Sequence, residues 1–153
     1  MHVSAANLHD PSHQAALVEL LDLYAQDTMG GEQPLSAEVK AALPERLAAL
    51  PNCRVWLAWE GDLPIGLCIA FVGFSTFQAR PLLNLHDVAV RPGHRGGGIG
   101  KQLLAAAEAE ARRLDCCKIT LEVRTDNAAA QRCYAACGFA AGTPVQEFWT
   151  KSL

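Results

Sequence analysis

The run Arg95, Gly96, Gly97, Gly98, Ile99, Gly100, Lys101 follows an apolar stretch ending at Val90 and opens into alanine-rich sequence with helical spacing. Those residue types in that order suit the binding of an anion. The first backbone N–H groups of a helix have no partner within it and lie at the positive end of its dipole. Glycines remove the side chains that would obstruct a phosphate and permit positive φ where a loop curls. Arg95 and Lys101 add positive charge at either end.

Spacing narrows the choice of phosphate ligand. A Walker A loop needs glycine where Arg95 stands and Ser or Thr where Gln102 stands. A dinucleotide fingerprint needs G-x-G-x-x-G, whereas Gly96, Gly98 and Gly100 give G-x-G-x-G. What does fit is R-x-x-G-x-G at Arg95, Gly98 and Gly100. A second segment, Asn127, Ala130, Tyr134, Gly138 and Phe139, reads N-x-x-A-x-x-x-Y-x-x-x-G-F. Together these resemble the two signatures of the GNAT acetyltransferases, over about residues 54 to 140.

The resemblance implies an α/β (α+β) fold, with a mixed central sheet of about six or seven strands, about four flanking helices and splayed central strands at the cofactor site. It implies acetyl-CoA as co-substrate and no metal. Backbone groups of Val88, Ala89 and Val90 would pair with the pantetheine arm, and the loop from Arg95 to Lys101 would hold the pyrophosphate, with Asn127 and Tyr134 completing the cofactor site. An amine would attack the thioester directly, a backbone N–H near Val88 would stabilise the tetrahedral intermediate, and Tyr134 would protonate the departing thiolate.

Within that superfamily the stretch FSTFQARPLLNLHDVAV is similar to diamine and polyamine N-acetyltransferases, which carry Leu-Glu-Asp where this chain has Leu85, His86 and Asp87. Histidine, with an ordinary pKa of about 6.5, can act as a base at neutral pH. It also attracts a polyamine less than a carboxylate does. His86 and Asp87 point to opposite faces of a regular strand, so a bulge is needed for both to serve one acceptor. The implied acceptor is the primary amine of a small cationic molecule. Protein lysine or N-terminal amines are an alternative, and a non-catalytic acyl-CoA sensor is an alternative of another class. The resemblance also implies a homodimer.

The elements that must position these residues follow from pattern. A short strand within residues 1–10 precedes a helix that Asp10 caps and Pro11 begins, with Ala16, Leu17, Leu20, Leu21 and Tyr24 on one face. A second helix covers about Ala37 to Leu50, capped by Ser36 and broken or bent at Pro44. Strands at Arg54–Trp59 and Ile65–Val72 form a hairpin around Gly61. Gly73 to Pro81 connects them to the central strand, with Phe74, Ser75, Thr76 and Phe77 as candidates to line the acceptor pocket. A helix to about Leu114, a strand from Lys118 to Val123, a helix that Asp126 or Asn127 begins and Gly138 stops, and a final strand holding Phe148 and Trp149 complete the order.

Composition sets the outer limits. The 153 residues fit one domain, 1–153, with a sizeable core, and 50% hydrophobic with 19% charged residues describes a globular chain. No apolar run spans a membrane, and MHVSAANLHDP lacks the form of a secretory signal. Six cysteines without C-x-x-C pairs suggest reduced thiols in a cytoplasmic protein. Net charge is −3, yet residues 1–90 carry ten acidic against four basic residues and residues 91–153 six against nine. The basic half suits a polyanionic cofactor and the acidic half a cationic acceptor. No aromatic-basic patch points to nucleic acid.

Overall fold

A computed structural model describes residues 1–153. The elements are β1 (His2–Ala5), α1 (Pro11–Ala25), α2 (Ala37–Ala48), β2 (Cys53–Glu60), β3 (Leu63–Ser75), β4 (Arg80–Val90), α3 (Ile99–Arg113), β5 (Ile119–Leu121) and α4 (Ala128–Ala136). Asp10 caps α1 by accepting the Ser12 N–H at 2.8 Å, and Ser36 caps α2 by accepting the Val39 N–H at 3.2 Å. Pro44 lies inside an unbroken α2 and is buried. Of the expected break or bend, the break does not occur. One lost backbone bond is offset by apolar burial at that position.

The sheet has the order β1-β2-β3-β4-β5. β1 to β4 pair antiparallel, β2–β3 and β3–β4 through short turns and β1–β2 across the segment that holds α1 and α2, whereas β4 and β5 are parallel and are joined through α3. This is the expected mixed α/β class, with five strands in place of six or seven. The missing strand is the C-terminal one: residues 139–153 form no ladder, and Phe148 and Trp149 are largely exposed. Its sequence explains the difference. Pro144 offers no N–H, and Phe148 beside Trp149 breaks the alternation that would give a strand one buried face.

Two apolar layers cover the sheet. Alternate residues of β2 and β3, Val55, Leu57, Leu67 and Ile69, pack against Ala16, Leu17 and Leu20 of α1 and Leu47 of α2. The intervening residues, Trp56, Ala58, Cys68 and Ala70, pack with Ile65, Leu83 and Leu85 against Ile99, Leu103, Leu104, Ala107 and Ala111 of α3. Gly66 sets how closely α3 approaches. A Cβ there would stand 2.8 Å from Ile99 Cγ2, so its absence lets the first turn of α3 rest directly on β3. No helix is long and apolar enough to cross a membrane.

Candidate active site

The site is built on the last five residues of β4. β5 pairs only with Leu83, Asn84 and Leu85, so beyond Leu85 that side of β4 has no neighbouring strand. The Arg91 N–H donates to the Ile65 carbonyl at 2.9 Å, which fixes the alternation of the ladder with β3. Asp87 and Ala89 therefore face β3 with their backbone groups, and Val88 and Val90 turn theirs to the open side. The β4–β5 pairing thus ends at Leu85, and the amides of two residues line the open edge where a splay is expected.

A bulge lies beside this edge. Leu85 pairs with Ala70 and Asp87 with Ile69, which leaves His86 as an extra residue on β4. Asp87 shares the α1 face with Ile69, and the His86 ring meets Phe71 of the same face edge-on at 5.6 Å between centroids. The bulge thus brings both side chains to one side of the sheet. Val88, opposite Cys68, keeps its side chain on the α3 face.

The glycine loop follows directly. Gly93, Gly96 and Gly98 have φ of 86°, 85° and 82°, and a Cβ at any of them would meet nothing within 4 Å. Their glycine identity thus answers to backbone conformation and an unobstructed surface, not to internal packing. Gly98 is the N-cap of α3 and supplies no side-chain cap; the first helical bond at this end runs from the Gln102 N–H to the Gly98 carbonyl. The N–H groups before it, through Ile99, Gly100 and Lys101, are the end that a helix leaves without internal partners. Gly100 faces α4, where its Cβ would lie 3.4 Å from Cys133 Sγ.

Tyr134 reaches the site from the other face. Asn127 caps α4 by accepting the Ala130 N–H at 3.0 Å, and Gly138 closes it with φ of 86°. This sets Tyr134 against Phe139, 5.9 Å between ring centroids, and beside the α3-side core. Burial, and then the neighbouring Tyr24, pushes the Tyr134 phenol up to about 12, so it stays protonated at neutral pH. Asp87 is held above the ordinary carboxylate range by burial, an effect the nearby His86 partly offsets.

Tyr24 is the residue that pattern reading missed. It was legible only as one of the apolar-spaced positions of α1. Its half-buried phenol is raised by burial and then by the charges of Asp87 and Asp27, and it in turn raises Tyr134. It links the two faces of the site. The other candidates divide. Lys101 turns toward a cavity of about 500 Å³ between α3, β5 and α4, which includes none of His86, Asp87, Val88 or Tyr134. Phe74 to Phe77 occupy the β3–β4 hairpin tip, with Phe74 and Phe77 exposed; Ser75 is six residues along β3 from Ile69, roughly 20 Å from the level of Asp87. They stand apart from the acid–base groups.

The arrangement has counterparts. The sequence model of the acetyltransferase (GNAT) family matches residues 17–139. A streptothricin acetyltransferase of Streptomyces lavendulae is 41% identical over 81 residues, which are 53% of this chain and 40% of that protein. The matched part is thus less than half the length of that relative. Among solved structures, an aminoglycoside acetyltransferase from an uncultured soil metagenomic sample, in complex with trehalose, superposes with a TM-score of 0.83 at 17% identity, over 99% of this chain and 96% of the other. AAC(6')-Iy, in complex with the bisubstrate analogue CoA-S-monomethyl-acetylneamine, gives 0.79 at 19% identity, over 99% and 98%. At such identities the structural likeness establishes the fold.

Proposed function

This chain belongs to the acetyltransferase (GNAT) family, and from that premise we propose that residues 1–153 form one domain that moves an acetyl group from acetyl-CoA to a primary amine of a small cationic acceptor. The observation that carries the reading is the open edge of β4. Val88 and Val90 turn their backbone N–H groups to that edge, just ahead of the glycine loop. Two amides of a pantetheine arm match that edge as an added strand would, and the amides of residues 96–101 suit its pyrophosphate. Acetyl-CoA supplies an activated thioester.

The residues then have separate tasks. Asp87, or His86 beside it, takes the proton of the acceptor ammonium, directly or through water. The Val88 N–H faces the thioester oxygen and stabilises charge developing there. Tyr134, protonated at neutral pH, gives a proton to the thiolate that leaves. Asp87, near Tyr24, favours a cation on the acceptor side. The streptothricin relative, and the aminoglycoside enzymes that share the fold, support multiply charged antibiotic amines as acceptors alongside diamines and polyamines. The six unpaired cysteines support a reducing, cytoplasmic setting.

The test is continuous thiol release from acetyl-CoA against streptothricin, an aminoglycoside, spermidine, putrescine and a lysine-containing peptide. Turnover on the small polycations with little on the peptide is expected. Tight coenzyme binding with no thiol release on any amine would overturn the catalytic reading and leave a coenzyme-binding domain.

A further inference from the structure

Arg95, which the motif assigns to the phosphates, is engaged elsewhere. Its Nη2 donates to Asp27 Oδ2 at 2.7 Å and its Nε to the Val90 carbonyl at 3.2 Å. Asp27 belongs to the turn after α1, where its other oxygen accepts the Met29 N–H at 2.9 Å and its side chain is only 16% exposed. The same turn is held from the far side, where Arg124 Nη1 donates to the Thr28 carbonyl at 3.3 Å. Arg95 precedes α3 and Arg124 follows β5, so residues 27 and 28 are tied to both margins of the gap that opens between β4 and β5.

Two consequences meet at one guanidinium. The Val90 carbonyl is one of the groups that β4 turns to its open edge, so the Arg95 Nε occupies a strand position that an incoming amide would need. The Asp27 carboxylate meanwhile neutralises the one arginine in the glycine loop. We infer that Asp27 is a further positioning residue: it draws Arg95 across the open edge of β4, and this contact opposes coenzyme binding until Arg95 leaves Val90. The turn that carries Asp27 also follows Tyr24, whose carbonyl accepts the Asp27 N–H at 3.0 Å. Release of Arg95 therefore loosens the acceptor side as the coenzyme arrives.

This inference rests on the coenzyme reading above, and its sign separates it from a merely structural role. If Asp27 only supported the loop, its loss would weaken coenzyme binding. If it holds Arg95 back, its loss frees a positive charge for the phosphates. Calorimetric titration of CoA into wild type and Asp27→Asn is the experiment. Asn keeps an oxygen for the Met29 N–H, and Asp27→Ser is a second variant that does the same. Expected is CoA binding roughly three- to five-fold tighter in both variants, in line with the strength of an exposed ion pair. The gain should vanish at high salt, and Asp27→Glu should behave as wild type. The KM for the acceptor should rise in the two neutral variants while that for acetyl-CoA falls. Unchanged or weaker CoA binding in Asp27→Asn and Asp27→Ser overturns the inference alone. Absence of CoA binding in the wild type overturns the coenzyme reading and this inference with it.

Discussion

The two sides of β4 recognise by different means. Toward the glycine loop the site is made of backbone: the amides of Val88 and Val90, the loop at Gly96 to Gly98, and the start of α3. Toward α1 it is made of side chains, Asp87, His86 and Tyr24, each from an element or face that packing placed there. Backbone recognition tolerates loss of side chains and resists the addition of one. Side-chain recognition behaves the other way. A family can thus keep its coenzyme and change its acceptor by substitutions confined to one face of the sheet.

The sharpest way to break this contrast is Tyr134→Phe, since the proposed protonation of the thiolate makes the coenzyme side depend on a side chain. A fall in kcat of about 10²- to 10³-fold is expected, with CoA affinity unchanged by titration. Retention of full thiol release would remove the phenol from the reaction. Because burial pushes that phenol up to about 12, Tyr134 itself should cause no alkaline loss of kcat below about pH 11.

Asp87→Asn tests the acceptor side, with a fall in kcat/KM of about 10- to 100-fold. Burial raises this carboxyl, so in wild type the acid limb of kcat/KM should lie above the ordinary carboxylate range of about 4 and disappear in the variant. The stability sign is opposite to that of activity. The unfolded chain ionises Asp87 first as pH rises, so the fold loses stability from the unfolded value upward until the raised folded value is passed. Asp87→Asn escapes that loss and should melt higher than wild type at neutral pH but not at pH 3, by calorimetry.

Gly98→Ala adds one methyl where there is space but φ is 82°. The strain of about 1–2 kcal/mol should lower CoA affinity about ten-fold and leave the acceptor KM nearly constant. A variant with full affinity would mean that the loop does not use that conformation. His86→Gln is the mildest change: a two- to five-fold shift in acceptor KM, on the order of 0.5–1 kcal/mol, with the CoA titration unaltered. An equal effect on both substrates would erase the distinction between the two sides.

The same contrast explains what the sequence disclosed. Glycines and spacing encode a backbone site within one local stretch, so Gly96 to Lys101 and the cap-to-stop frame of Asn127 and Gly138 could be read directly. The α3 stripe, Leu103, Leu104, Ala107 and Ala111, was legible for the same reason, since period alone defines it. Tyr24 was not, because its spacing on α1 is that of any core residue and only the fold brings it to Asp87. The Arg95 contact to Asp27 spans 68 positions of chain and leaves no local trace. The last strand failed for the opposite reason: apolar residues were present at Phe148 and Trp149, but without the alternation that gives a ladder one face.

The bulge at His86 has a further meaning when β4 is treated as a reading frame. His86 is an insertion that the ladder absorbs, since Leu85 and Asp87 already face consecutive residues of β3. Shortening the chain by that one residue would leave every pairing on either side in register, with Val88 and Val90 still turned outward. Position 86 is therefore a letter added to the word without shifting the letters around it. Its identity can be rewritten, or the letter struck out, while the text that holds the coenzyme stays the same.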